Sequence, residues 1–196
     1  MAITITSHAT GIVVPEVGEN GAVSFLVPEY YLIKGVRSQR QVMESGELEQ
    51  GVMRTIERAV NDEMAAKPGS LVITELDTTP FYVRLGPDER SPGGTHLKAF
   101  FFAQVVGELR REAKPDGAEE LGPMVRIEAA ELIAKMQAGR TPRVHVEVTK
   151  GAMAILARRN PSVAFQYPTL LTDCFLPREL SVEEWEAVNA YDKWFK

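Results

Sequence analysis

The stretch that decides the fold is "HLKAFFFAQVVGEL", residues 96–109. It is almost continuous in apolar side chains, many of them aromatic or β-branched, yet it is too short to cross a membrane. A strand that is covered on both faces has this composition. We therefore expect residues 96–108 to form a central strand with other elements packed on each side.

Helical patterns lie on both sides of this strand in the sequence. Upstream, residues 48–66, "LEQGVMRTIERAVNDEMAA", predict one amphipathic helix that ends at "KPGS". Downstream, helical spacing predicts a helix at 127–137 and another at 142–158, with His145 on an exposed side of the latter. The apolar stripe of that last helix consists of Val144, Val148, Ala152 and Ile155.

The same pattern predicts one domain and an extension. Strand patterns at 71–77 and 80–86 complete an α+β domain over residues 1–158, a mixed β-sheet sandwiched by helices. Residues 159–196 predict an extension with a long irregular, apolar segment. A last helix follows, opened by a capping box of Ser181 and Glu184. Its aromatic and apolar side chains predict a homodimer contact, with packing on the chain's own domain as the alternative; they include Trp185, Val188, Tyr191, Trp194 and Phe195.

Composition narrows the setting of the protein. Because the formal net charge is -5, we do not expect a nucleic-acid partner. A single cysteine, Cys174, favours a reducing compartment, and the N-terminal residues show no signal-peptide pattern. We therefore expect a cytoplasmic protein with no membrane partner.

One carboxylate stands out on the helix at 48–66. At about 100° per residue, Glu63 falls on the same side as a stripe of apolar residues. An ionised carboxylate is costly in such a place unless it is paired or bound to a metal. The alternatives are that Glu63 reaches outward to solvent or pairs with a neighbouring arginine. The stripe consists of Val52, Ile56, Ala59 and Val60.

The order of elements resembles the Nudix hydrolase family. The resemblance covers roughly residues 10–157. It depends on the long apolar strand, an acidic connection ending in "EELGP", a short strand "MVRI" and a helix that opens with "EAAEL". It implies a Nudix-like mixed sheet between helices and a site on the helix at 48–66.

The family motif is G-x5-E-x7-R-E-U-x-E-E-x-G-U, where U is apolar, and it aligns in two ways. With its arginine at Arg58, Val60 takes the U position and Asp62 and Glu63 take the acidic pair, whereas alanines stand at two motif positions, Ala59 and Ala65. In that alignment Glu47, in the loop-like "ESGE", lies about one helical turn too far from Arg58. With the arginine at Arg54 the upstream spacing is nearly restored, but the acidic pair is lost.

The resemblance implies a set of functional residues. Glu63 and Asp62 would be catalytic carboxylates and, with Glu47, ligands of Mg²⁺, while Ala59 removes one ligand position. Arg58 would contact substrate. The run "KGVRSQRQ" adds Arg37 and Arg40, whose charges could neutralise substrate phosphates or simply face solvent.

Two functions are compatible with these residues. In the first, the protein hydrolyses a nucleoside-diphosphate-linked substrate with a divalent metal that polarises the phosphate and activates water. In the second, the protein is a catalytically inactive Nudix-fold binding or scaffold module. The acidic pair favours the first function, and Ala59 with the broken motif spacing favours the second.

Overall fold

A computed structural model describes residues 3–46, 50–116, 119–191 and 194. In chain order its strands are β1 (Ile5–Val13), β2 (Pro15–Val17), β3 (Val23–Pro28), β4 (Tyr31–Ile33), β5 (Val36–Ser38), β6 (Val42–Ser45), β7 (Leu71–Leu76), β8 (Tyr82–Pro87), β9 (Thr95–Gly107), β10 (Lys114–Asp116), β11 (Glu119–Leu121) and β12 (Met124–Glu128). Its α-helices are α1 (Val52–Ala59), α2 (Ala129–Ala138), α3 (Arg143–Arg159), α4 (Pro161–Gln166), α5 (Pro168–Thr172) and α6 (Val182–Asn189). A π-helical turn, Val60–Met64, follows α1 directly.

Strand β9 is the centre of the main sheet, which confirms the central strand expected over 96–108. On one side it pairs in parallel with β1, where Ile12 lies opposite Phe101. On the other side it pairs antiparallel with both β7 and β8 along different parts of its length. Strand β6 closes the sheet beyond β1.

The two faces of this sheet belong to two hydrophobic cores. Because side chains alternate along a strand, Ala99 and Phe101 join a core with α1, the π turn and α6. Phe100 and Phe102 point the other way, into a core with α2 and α3. The apolar side chains of β9 thus contribute to both cores. The expected mixed sheet sandwiched by helices is confirmed.

Two smaller sheets contain the remaining strands of the fold. Strands β10, β11, β4 and β5 form one antiparallel sheet, in which Leu121 lies opposite Tyr31. Strands β12, β3 and β2 form the other, which leads into α2. Both sheets pair strands that are distant in the sequence, β4 with β11 and β3 with β12.

The helix in the structure differs at both ends from the one predicted over 48–66. Residues 48 and 49 lie outside the described part of the chain, and α1 begins at Val52. At the other end the α-helix gives way to the π turn, in which the Ala65 amide donates to the Val60 carbonyl at 2.9 Å. A π turn displaces the following side chains relative to a continuous α-helix, and such turns are frequent at functional sites.

The C-terminal extension is more regular than its sequence predicts. The segment expected to be irregular contains α4 and α5, which begin at Pro161 and Pro168. The capping box that opens α6 is confirmed, with both reciprocal hydrogen bonds present. No described helix has the length and hydropathy needed to cross a bilayer.

Helix α6 packs on the chain's own domain. Val188 and Tyr191 are buried in the core with α1, and the Tyr191 hydroxyl hydrogen-bonds His8 Nδ1 at 2.7 Å. Trp194 sits edge-on to Phe101, and Trp185 remains 39% exposed. Packing within the chain therefore covers Tyr191 and part of Trp194, while Phe195 lies outside the described residues. The homodimer contact stays a prediction, and so does the domain boundary at residue 158.

Candidate functional site

Glu63 lies on the π turn and is buried, with 5% of its surface exposed. Its Oε2 accepts a hydrogen bond from the Tyr31 hydroxyl at 2.5 Å. Burial, with the negative charge of Glu63 and this hydrogen bond, raises the pKa of Tyr31 well above its usual value. The tyrosine therefore stays protonated at neutral pH and donates a hydrogen bond to Glu63.

A second buried side chain fixes the backbone beneath this carboxylate. The Arg110 guanidinium donates twice to the Glu63 carbonyl, from Nε at 3.1 Å and from Nη2 at 2.7 Å. It also donates from Nη1 to the Leu121 carbonyl at 2.7 Å. Arg110 thus ties the π turn to strand β11 and holds the backbone position from which the Glu63 side chain projects.

The Glu63 side chain lines a cleft of about 300 Å³, which we call the Glu63 cleft. It lies between the π turn, strand β6, the β4–β11 sheet and the first turn of α3. Two further carboxylates and one cation line it: Glu44, Glu119 and Arg40. Its remaining polar lining comes from Tyr31, Gln41, Ser45 and His145.

The three arginines predicted to meet substrate occupy different places. Arg40 lines the Glu63 cleft and lies 5.5 Å from the centre of the Tyr31 ring. Arg58 forms a 3.1 Å ion pair with Glu44 and donates to the Ser45 carbonyl, so it connects α1 to β6. Arg37 is exposed and stacks 4.0 Å from the centre of the Tyr30 ring, outside the cleft lining.

The predicted carboxylates are only partly brought together. Asp62 is exposed and does not line the Glu63 cleft, because it lies on the opposite side of the π turn. Glu47 lies outside the described residues. Ala59 is fully buried in the core, so its position in this structure faces packing rather than the cleft. Among the described residues, no three His, Cys, Asp or Glu side chains are arranged to hold a metal ion.

The prediction for His145 is wrong. It lies at 2% exposure against the ring of Phe100, not on an exposed side of α3. Burial, together with the charges of Arg40 and Lys98, lowers its pKa to about 3, so the imidazole is neutral at neutral pH. Its Nδ1 has no hydrogen-bond partner among the described residues, and neither has the nearby Gln41 Oε1.

Several residues of the cleft carry no local signal in the sequence. Tyr31 and Glu44 lie on short strands whose side chains could equally face solvent, and Glu119 belongs to the charged connection. They meet Glu63 only because β4 pairs with β11 and β6 pairs with β1. The burial of Arg110 could be suspected only from its place directly after the apolar strand.

No protein-family model matches the chain, and no curated protein sequence is significantly similar to it. Solved structures are similar in fold. A NUDIX hydrolase from Nitrosomonas europaea shares 17% identity at a TM-score of 0.50, over 70% of this chain and 82% of that one. A NUDIX hydrolase from Alicyclobacillus acidocaldarius shares 16% identity at a TM-score of 0.51, over 84% and 97%. The E. coli ORF135 protein shares 9% identity at a TM-score of 0.54, over 80% and 94%. The chain therefore has a Nudix-like fold.

Proposed function

We propose that the protein hydrolyses the diphosphate linkage of a nucleoside-diphosphate derivative in the Glu63 cleft, with the help of a divalent metal. The observation that carries this proposal is the buried Glu63 carboxylate, which projects from a π turn into the cleft. Two similar structures described as NUDIX hydrolases support the reaction class by analogy of fold.

The donor set fits a magnesium ion that arrives with its substrate better than a tightly held resident ion. Magnesium typically takes one or two protein carboxylates and completes its shell with water and substrate phosphates. Glu63 and Glu119 provide two carboxylates in the cleft, while Glu44 is paired with Arg58. The proposal therefore assigns the metal to Glu63 and Glu119 and does not use Asp62.

Each side chain of the cleft then has a separate task. A divalent ion bound there supplies Lewis-acid polarisation of the phosphate and a more acidic water. Tyr31 donates a hydrogen bond to Glu63 Oε2 and would orient the carboxylate. Arg40, on the wall of the cleft, neutralises substrate phosphate, and Arg110 keeps the π turn in place.

A second function, binding without hydrolysis, is favoured by a different observation. Ala59 stands where the family motif places a glutamate, and it is sealed in the core. One oxygen of Glu63 already accepts the Tyr31 hydroxyl. A site with fewer available carboxylate oxygens retains the shape of a nucleotide-binding cleft but holds a catalytic metal less strongly.

A substrate panel separates the two functions. The full chain is incubated with Mg²⁺ or Mn²⁺ and nucleoside-diphosphate sugars, dinucleoside polyphosphates or nucleoside triphosphates, and the products are resolved by chromatography. Loss of a residue behind a metal ligand typically costs 10–100-fold, so Glu63→Gln is expected to lower turnover by about a hundredfold or more. Glu57→Gln, which removes an exposed carboxylate on α1 just before the π turn, is the matched control and should leave turnover unchanged.

Two results would contradict hydrolysis at this cleft. Turnover that survives in Glu63→Gln at the level of Glu57→Gln would place the reaction elsewhere. Binding of a panel compound by the wild-type protein, with no product formed in either metal, would favour the binding module.

A further inference from the structure

A second cleft, of about 590 Å³, adjoins the Glu63 cleft. It lies between β8, the start of β9, the loop that joins these two strands and the start of α3. Met43 and Ser45 of strand β6 line both clefts. Consecutive residues of α3 also line the two clefts, Val144 the second and His145 the first. The two clefts are therefore neighbouring parts of one surface depression.

Cationic side chains dominate the charge of this second cleft, which we call the basic cleft. It is lined by Arg84, Arg90, Lys98 and Arg143. Arg84 and Arg143 share one carboxylate, Glu147, at 3.4 and 2.6 Å. Arg90 and Lys98 have no ion-pair partner within the described residues. Such a concentration of positive charge stands out in a chain whose net charge is -5.

Asp88, one of the two carboxylates that line the basic cleft, anchors the loop after β8. Asp88 accepts hydrogen bonds from the hydroxyls of Thr6 and Ser7 at 2.6 and 2.7 Å and from the Arg90 amide at 2.9 Å. These bonds lower the pKa of Asp88 to about 2. Because its oxygens are engaged in this way, Asp88 fixes the loop that carries Arg90 against β1. The other carboxylate of the lining, Glu89, is exposed.

We propose that the basic cleft binds a phosphate group of the ligand, and that this group lies beyond the diphosphate linkage held in the Glu63 cleft. Preferred ligands then carry a further phosphate at the end away from the scissile bond. The claim that one molecule reaches both clefts rests on the proposed function. Phosphate binding by the basic cleft does not depend on it.

The test uses inorganic pyrophosphate as the probe. Calorimetric titration of the full chain is done at low salt with EDTA, so that no metal complex forms at Glu63. Charge-assisted hydrogen bonds to a phosphate suggest that Arg90→Gln or Lys98→Gln each weakens binding about tenfold. Arg111→Gln and Lys67→Gln remove exposed cations outside the basic cleft and should leave the affinity unchanged. Added salt should weaken binding.

Further variants make the outcomes decisive. Glu63→Gln should not weaken pyrophosphate binding, because without a metal the Glu63 carboxylate provides no attraction for an anion. Arg90 is an exposed loop residue, so its variant stays folded even if Lys98→Gln, on the central strand, does not. The subsite is refuted if wild-type protein binds no pyrophosphate at millimolar concentration, or if Arg90→Gln binds as tightly as Arg111→Gln. Pyrophosphate binding without turnover of any panel compound would refute hydrolysis and leave the subsite standing.

Discussion

Two buried ionisable side chains, Glu63 and His145, line the same cleft but differ in their hydrogen-bond partners. Glu63 keeps a donor on its carboxylate and lies on a backbone fixed by Arg110. His145 is enclosed by the core of α3, and burial keeps it neutral. The comparison shows that depth alone does not mark a site: Glu63 has a hydrogen-bond donor on its carboxylate, whereas the buried His145 Nδ1 has no partner among the described residues.

The largest effect is expected from Arg110→Met. Loss of a buried guanidinium that donates to several backbone carbonyls should lower the free energy of unfolding by about 3–5 kcal/mol. The measurement is urea denaturation followed by circular dichroism. Arg111→Met, the exposed neighbour, should change stability by no more than about 0.5 kcal/mol. Equal effects in the two variants would mean that the π turn does not depend on Arg110.

Acid should reveal the neutral state of His145. The folded-state pKa is about 3 against an ordinary value of 6.5, so the unfolded chain binds the extra proton as the pH falls below 6.5. Stability is then full above that value and declines toward pH 3, by about 1.4 kcal/mol per pH unit within the window. Unfolding free energies measured between pH 7 and 4 should fall less steeply in His145→Gln. Parallel profiles for variant and wild type would show that His145 takes up a proton as readily in the folded protein as in the unfolded chain.

A smaller effect is expected at the hydroxyl that contacts Glu63. Tyr31→Phe removes a buried hydrogen bond to a charged group and should cost about 2 kcal/mol of stability. Tyr82→Phe is the matched control, because Tyr82 also donates to a glutamate, Glu147, but in a partly buried setting. Its cost should be about 1 kcal/mol or less. Thermal and urea unfolding of both variants would measure the difference, and a larger cost for Tyr82→Phe would contradict it.

The smallest effect is metal-dependent stabilisation. Magnesium or calcium that binds only the folded protein stabilises it by mass action, by about 1.4 kcal/mol when the ion is at ten times its dissociation constant. The melting temperature should therefore rise with added metal and should not rise in Glu63→Gln. Glu57→Gln should respond as the wild type does. A rise that persists in Glu63→Gln would assign the ion to other residues.

The sequence predicted the fold better than the site. The run at 96–109 is long and apolar enough that only a doubly covered strand fits it, and the stripes of α2 and α3 have clear helical spacing. The burial of Glu63 followed from its place on the apolar side of the helix. The end of the helix at 48–66 was predicted less well, because nothing in "VNDEM" distinguishes a π turn from an α-helix.

Glu63 and Arg40 were predicted as site residues, but the other polar residues of the Glu63 cleft were not, because tertiary contacts bring them there. Tyr31, Glu44 and Glu119 come from three strands that are distant in the sequence, and pairing between strands decides which of their faces meet the cleft. His145 was misplaced because an imidazole in a helical pattern suits either side. The basic cleft likewise draws its cations from two strands, a loop and a helix.

The parallel pairing of β1 with β9 also governs how the chain can fold during synthesis. Ser7 and His96 are hydrogen-bonded although they are 89 residues apart in the sequence. Strand β6 emerges early and can pair with one edge of β1, but the other edge has no partner until β9 has left the ribosome. An unpaired edge is a template for association between chains, and distant strand pairing is slow to form. The strand that completes both cores therefore also sets the period during which a nascent chain is most exposed to aggregation.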